Sequence, residues 1–224
     1  DQGDARGQNN LGDMYLNGTY INKDLKLAAS WYQKAADQDY AYSQGNLGYM
    51  YENGIGVAKD LELAVNWYQK AAVLGNARAQ NNLGRMYQTG DGITKNLKLA
   101  FSWYQKSADQ GYAYAQSNLG YMYEIGLGVA KDVEQAFNLY QKAADQGNAP
   151  AQTNLAYMYQ HGRGVDKDLK LAFKWYQKAA DQGDVRGQNN LADMYLSGEG
   201  VDKDLKLAAS WYQKAVDQGY AFSQ

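Results

Sequence analysis

The sequence predicts an all-α fold: one domain over residues 1–224, a solenoid of six 36-residue αα-hairpin repeats. Three observations predict it. The frame Asn-Leu-Gly/Ala-x-Met-Tyr-x-x-Gly starts at Asn10, Asn46, Asn82, Asn118, Asn154 and Asn190, always 36 residues apart, and a period of that size marks stacked units. Within each period, small and apolar residues recur at helical spacing in two separate runs. A glycine-rich break followed by Asp or Asn divides the two runs at the same place in every copy.

The units are 4–39, 40–75, 76–111, 112–147, 148–183 and 184–219. Residues 1–3 match the end of an earlier unit, and 220–224 (Tyr-Ala-Phe-Ser-Gln) begin a seventh. In the second unit the first helix, helix A, runs from Ala41 to about Asn53, with Ala41, Leu47, Gly48, Met50 and Tyr51 on its packing side. Gly54-Ile55-Gly56-Val57-Ala58-Lys59 follows as a loop, since two glycines two apart break a helix and allow positive φ. Asp60 then caps helix B, Leu61–Val73, where Leu61, Ala64, Trp67, Tyr68 and Ala71 recur three and four apart. Gly75 stops it. The other units follow the same pattern. One hairpin cannot cover its own apolar faces, so stacking must do it. Trp31, Trp67, Trp103, Trp175 and Trp211, with Leu139 in the fourth unit, share one register and are expected to anchor the core between units.

The first unit departs from the pattern. Tyr20 stands where the others have the second loop glycine, so a different loop is expected there if that glycine has positive φ. Asp39 stands where the others end in Gly. Asn17-Gly18-Thr19 fits a glycosylation sequon and reads as a chance match.

Composition narrows the function. The chain holds 21 Tyr and 5 Trp but no Cys, has a net charge of −2, and shows neither a basic cluster nor an apolar run long enough to span a bilayer. No disulfide, nucleic-acid surface or membrane insertion is expected. The chain begins at Asp1 without a signal-like segment, so it reads as a piece of a longer protein and its compartment is open.

The second unit, with Ala41, Gln44, Leu47-Gly48, Met50-Tyr51, Gly54, Gly56-Val57, Lys59-Asp60, Ala64, Trp67-Tyr68, Lys70-Ala71-Ala72 and Gly75, resembles the Sel1-like repeat. That family is related to the tetratricopeptide repeat. The resemblance covers essentially the whole chain. It implies a right-handed superhelix with helices A lining the concave side, and adaptor or scaffold roles, often in bacterial envelope or secreted settings. This chain lacks the cysteines of the disulfide-stapled bacterial branch.

Copies within the chain point to where specificity is written. The Leu, Met and Tyr of helix A hardly change, whereas five registers spaced i, i+3, i+7, i+10 and i+11 do, and all fall on one side of helix A. The candidate partner-binding groove drawn from them comprises Arg6, Asn9 and Asp13; Tyr42, Tyr49 and Glu52; Arg78, Asn81 and Arg85; Tyr114, Ser117, Tyr121 and Glu124; Tyr157; and Arg186, Asn189 and Asp193. Tyr and Arg are the usual anchors of protein contacts. The row Tyr49, Tyr121 and Tyr157, with Arg78 and Arg85 between, is expected to hold an extended or helical peptide segment. The rival reading is a structural array that self-associates head to tail through its open ends. Residues 1–44 and 181–224 differ at only ten positions, so the array grew by duplicating blocks.

No enzyme chemistry is legible. His161 is the only His, which with no Cys argues against a zinc site. Ser-x-x-Lys, Gly-x-Gly-x-x-Gly and phosphate-loop motifs are missing, and the Lys-Asp pairs read as caps. No cofactor or metal is expected.

Overall fold

A computed structural model describes residues 3–219. The match of residues 1–2 to an earlier unit and the start of a seventh unit at 220–224 lie outside the described residues. The chain forms two compact units, residues 1–112 and 113–224, each of three helical hairpins. The first contains α1 (Ala5–Asn17), α2 (Leu25–Ala36), α3 (Ala41–Asn53), α4 (Leu61–Val73), α5 (Ala77–Thr89) and α6 (Leu97–Asp109). The second contains α7 (Ala113–Ile125), α8 (Val133–Asp145), α9 (Ala149–His161), α10 (Leu169–Asp181), α11 (Val185–Ser197) and α12 (Leu205–Asp217). Odd-numbered helices are helix A, even-numbered helices helix B. Each helix packs on its hairpin partner, and within a unit each helix B packs on the next helix A.

The local chemistry sets these boundaries. Asp24, Asp60, Asn96, Asp132, Asp168 and Asp204 each cap helix B by accepting a backbone N–H from the first turn. Helix A ends where a glycine turns left-handed, as at Gly54 with φ 68°. The second loop glycine also has positive φ: Gly56 has φ 69° and lies against the helix-B entrance of the preceding repeat, so that a Cβ there would sit 2.2 Å from the Leu25 carbonyl oxygen. Tyr20 does not make a different loop. It takes the same conformation, φ 64°, with its side chain 95 % exposed. Asp39 likewise takes the glycine conformation at φ 59°.

Tyrosine, more than tryptophan, forms the deep core. Trp67 is buried and packs with Ala28, Ala29, Tyr32 and Leu47, bridging two repeats as expected. Trp31, Trp103, Trp175 and Trp211 are only partly buried, each beneath a lysine one turn on, with Lys178 Nζ for example 3.9 Å from the Trp175 ring centroid. The large, fully buried side chains are the next residues along: Tyr32, Tyr68, Tyr104, Tyr140 and Tyr176.

A glutamine relay ties the repeats together. The helix-A glutamine donates to the preceding helix B, as Gln80 Nε2 does to the Ala72 carbonyl at 3.0 Å. It also accepts from the glutamine ending its own helix B, as Gln80 Oε1 does from Gln110 Nε2 at 2.7 Å. The same second bond joins Gln38 to Gln8, Gln146 to Gln116, Gln182 to Gln152 and Gln218 to Gln188. The second repeat has Leu74 at the donor's position, and the Oε1 of its fully buried Gln44 has no partner. Leu74→Gln is therefore expected to stabilise the protein by about 1 kcal/mol. Urea denaturation checks this; an unchanged midpoint would mean that Gln44 lacks nothing.

Candidate partner-binding face

The five variable registers of helix A do not behave alike. At 3.6 residues per turn, i, i+7 and i+11 fall in one narrow stripe, while i+3 and i+10 lie about 60–80° round the helix. The stripe is exposed. Tyr42 is 65 % and Tyr114 57 % exposed at its first position, and Tyr49, Tyr121 and Tyr157 are 46 %, 44 % and 39 % exposed at its second. Arg6, Arg78, Arg186 and Asp193 are exposed on the same stripe, while Asp13 and Arg85 are half-buried.

The i+3 register lies deeper than the stripe. Asn9, Asn81 and Ser117 are buried, and Asn189 is partly so. Asn9 Oδ1 accepts from Ser43 Oγ at 2.9 Å and from Asn46 Nδ2 at 3.3 Å, both in the next repeat. Thr153, at the same register, donates to Asp184 Oδ1 at 2.8 Å. At Asn9 and Thr153 the register thus serves polar contacts between neighbouring hairpins.

The i+10 register carries a second structural role. The helix-B tyrosine, buried in the first five repeats and partly so in the sixth, donates its hydroxyl to helix A in every repeat. Tyr68 reaches Glu52 Oε2 at 2.7 Å, Tyr104 reaches Gln88 Oε1 at 2.8 Å, and Tyr140 and Tyr176 reach Glu124 Oε2 and Gln160 Oε1, each at 2.9 Å. In the first and sixth repeats the acceptor sits one turn earlier: Tyr32 donates to Asp13 Oδ1 at 2.6 Å, and Tyr212 donates to Asp193 Oδ1. Asp13, Glu52, Glu124 and Asp193 are therefore anchors of the hairpin. A signal for this was present in the sequence. The i+7/i+10 pair reads Asp/Leu, Tyr/Glu, Arg/Gln, Tyr/Glu, Tyr/Gln and Asp/Leu, so every repeat keeps one acceptor and moves it by a turn. Burial pushes the pKa of Tyr32, Tyr68, Tyr104, Tyr140 and Tyr176 well above the usual phenol range, and at Tyr32, Tyr68 and Tyr140 the adjacent carboxylate raises it further. The phenols thus remain donors at any physiological pH.

Charge is arranged differently in the two units. In the first, Arg85 pairs with Glu52 and Arg78 donates to Asn46 Oδ1. A cavity of about 520 Å3 there takes in Asn9, Asp13, Tyr42 and Arg78. In the second, Arg163 Nη1 lies 3.1 Å from Glu124 Oε1. Its guanidinium sits 5.6 Å from the Tyr157 ring centroid, whose other neighbour, the His161 ring, is 4.2 Å away. Sequence reasoning missed Arg163, which fills the middle of a Gly-x-Gly turn. No group of three or more His, Cys, Asp or Glu side chains fit to hold a metal occurs among the described residues.

Stacked two-helix repeats with an invariant packing side and an exposed, varied helix-A stripe define an αα-hairpin repeat protein. The Sel1 repeat family matches the chain six times, at residues 5–40, 41–76, 77–112, 113–148, 149–184 and 185–220. The chain belongs to that family. Among solved structures, a Sel1 repeat protein from Oxalobacter formigenes is 33 % identical over 100 % of this chain and 88 % of its own, with a TM-score of 0.89. A protective antigen present in uropathogenic Escherichia coli strains, displaying an SLR fold, is 39 % identical over 97 % of this chain, with a TM-score of 0.83. This chain spans about half of that one, 47 %. An immunity protein from Pseudomonas aeruginosa is 24 % identical over 95 % of this chain and 81 % of its own, with a TM-score of 0.62, and is alike in fold alone. No curated protein matches. Sel1 repeats are in general protein–protein interaction modules, and the expected all-α repeat architecture is the one observed.

Proposed function

We propose that the exposed helix-A stripe of each unit binds an extended segment of a partner protein, making the chain a non-enzymatic adaptor. The observation that carries this reading is where the exposed tyrosines fall. Among the described residues, apart from Tyr20, the tyrosines most open to solvent are Tyr42, Tyr49, Tyr114, Tyr121 and Tyr157, and all five lie on the stripe. A large ring left in water at a repeated position, beside arginines, has the composition of an interface hot spot. The buried i+3 positions and the tyrosine-anchoring carboxylates drop out of the candidate surface. Arg6, Tyr42, Tyr49, Arg78, Arg85, Tyr114, Tyr121, Tyr157 and Arg186 remain.

A partner captured on the immobilised chain supplies the test. The double variant Tyr49→Ala/Tyr121→Ala should keep its helical content and melting temperature but lose at least about tenfold in affinity, since hot-spot truncations cost about 2 kcal/mol or more. Unchanged affinity in the folded double variant would remove the stripe from the interface.

A further inference from the structure

The second unit's stripe holds a small cavity of about 240 Å3, lined by Tyr121, Glu124 and Ile125 of α7, Asn154 and Tyr157 of α9, and Arg186 of α11. Its two charges are not equivalent. Both Glu124 oxygens are engaged, Oε2 by the Tyr140 hydroxyl at 2.9 Å and Oε1 by Arg163 at 3.1 Å, so this carboxylate is already neutralised. Arg186 is exposed and has no hydrogen-bond acceptor or carboxylate partner among the described residues. Its counterpart in the first unit, Arg78, is tied to Asn46. The other carboxylates of α11 and its cap are also occupied: Asp184 accepts from Gly187 N and Thr153 Oγ1, and Asp193 accepts from Tyr212 and Asn189. What is left is one unmatched guanidinium at the edge of a cavity walled by two tyrosine rings.

We infer that this cavity receives an acidic side chain, Asp or Glu, from within an extended partner segment, with Arg186 as its fork-shaped partner. The inference rests on the peptide-binding reading of the stripe. Charge complementarity selects the carboxylate, because a planar guanidinium offers two parallel donors to it. The lining selects an internal side chain over a chain terminus. It comes from three successive A helices, which at 8–10 Å between packed helices span about 20 Å, roughly six residues of extended chain. The peptide therefore runs across the cavity, and a side chain enters it.

Three pools of acetylated hexapeptides test this on the full immobilised chain. Two are amidated and carry Glu or Gln at a fixed central position with mixed residues elsewhere. The third repeats the Gln pool with a free C-terminal carboxylate. The Glu pool should be retained about tenfold more strongly than the amidated Gln pool, the preference should shrink in high salt, Arg186→Gln should abolish it, and Lys174→Gln, at an exposed lysine of α10 off the stripe, should leave it intact. Equal retention of the two amidated pools, lost from both in Tyr121→Ala/Tyr157→Ala, would keep the peptide groove and overturn the acidic inference. Retention confined to the pool with the free carboxylate would overturn it in favour of terminus recognition. If no pool is retained at all, the peptide-binding reading fails and this inference with it.

Discussion

Tyr68→Ala is expected to destabilise the first unit by about 3–5 kcal/mol, the range for truncating a fully buried aromatic. The ring packs with Ala64, Ala71, Leu83 and Met86, so it touches its own hairpin and the next one. Its hydroxyl is bonded to Glu52. Truncation opens a void at an interface between repeats and leaves a half-buried carboxylate without that donor. Tyr68→Phe keeps the ring and should lose only about 1 kcal/mol. Urea denaturation of the two variants separates packing from the hydrogen bond. Near-equal losses would mean that the ring is not the core element its burial indicates.

The second large effect belongs to a loop. Gly56→Ala should cost about 2–4 kcal/mol, combining a left-handed backbone for a residue with a Cβ and overlap with the Leu25 carbonyl. Gly75→Ala is the control. Gly75 also has positive φ, 88°, but nothing lies within 4 Å of the Cβ it would gain. It should cost only about 1 kcal/mol, the backbone component alone. The first repeat already tolerates Asp39 at the position corresponding to Gly75. Thermal melts of the two variants check the contrast, and equal losses would show that the approach to Leu25 is unimportant.

The helices were legible in the sequence almost to the residue. Helix A from Ala41 to Asn53 and helix B from Leu61 to Val73 have the expected boundaries, because a helical period, an Asp cap and a loop glycine all agree there. The division of labour along helix A was not. Spacing shows that five registers share one side of a helix. It does not show that the edge of that side, at Asn9, Asn81 and Ser117, is buried, at Asn9 against Ser43 and Asn46 of the next hairpin. The acceptor moving between i+7 and i+10 was written in the sequence, but it shows only when the two columns are read as a pair. Trp67 and Tyr68 are adjacent and equally aromatic; depth of burial separates them, and that depends on the neighbouring repeat. The role of Arg163 depends on a contact across repeats that no local pattern announces.

Part of the helix-A variation preserves the fold, and under the proposed function only the rest serves recognition. The most direct measurement of that division is the urea stability of Glu52→Leu beside that of Tyr49→Asp/Glu52→Leu. The double variant copies the Asp13/Leu16 pair of the first repeat, where Asp13 accepts from the buried Tyr32. Glu52→Leu alone leaves the Tyr68 hydroxyl without its acceptor and should lose about 1–3 kcal/mol. Adding Tyr49→Asp should restore most of that loss, as coupled neighbours do. A double variant no more stable than Glu52→Leu would contradict the division of helix A into anchoring and recognition positions.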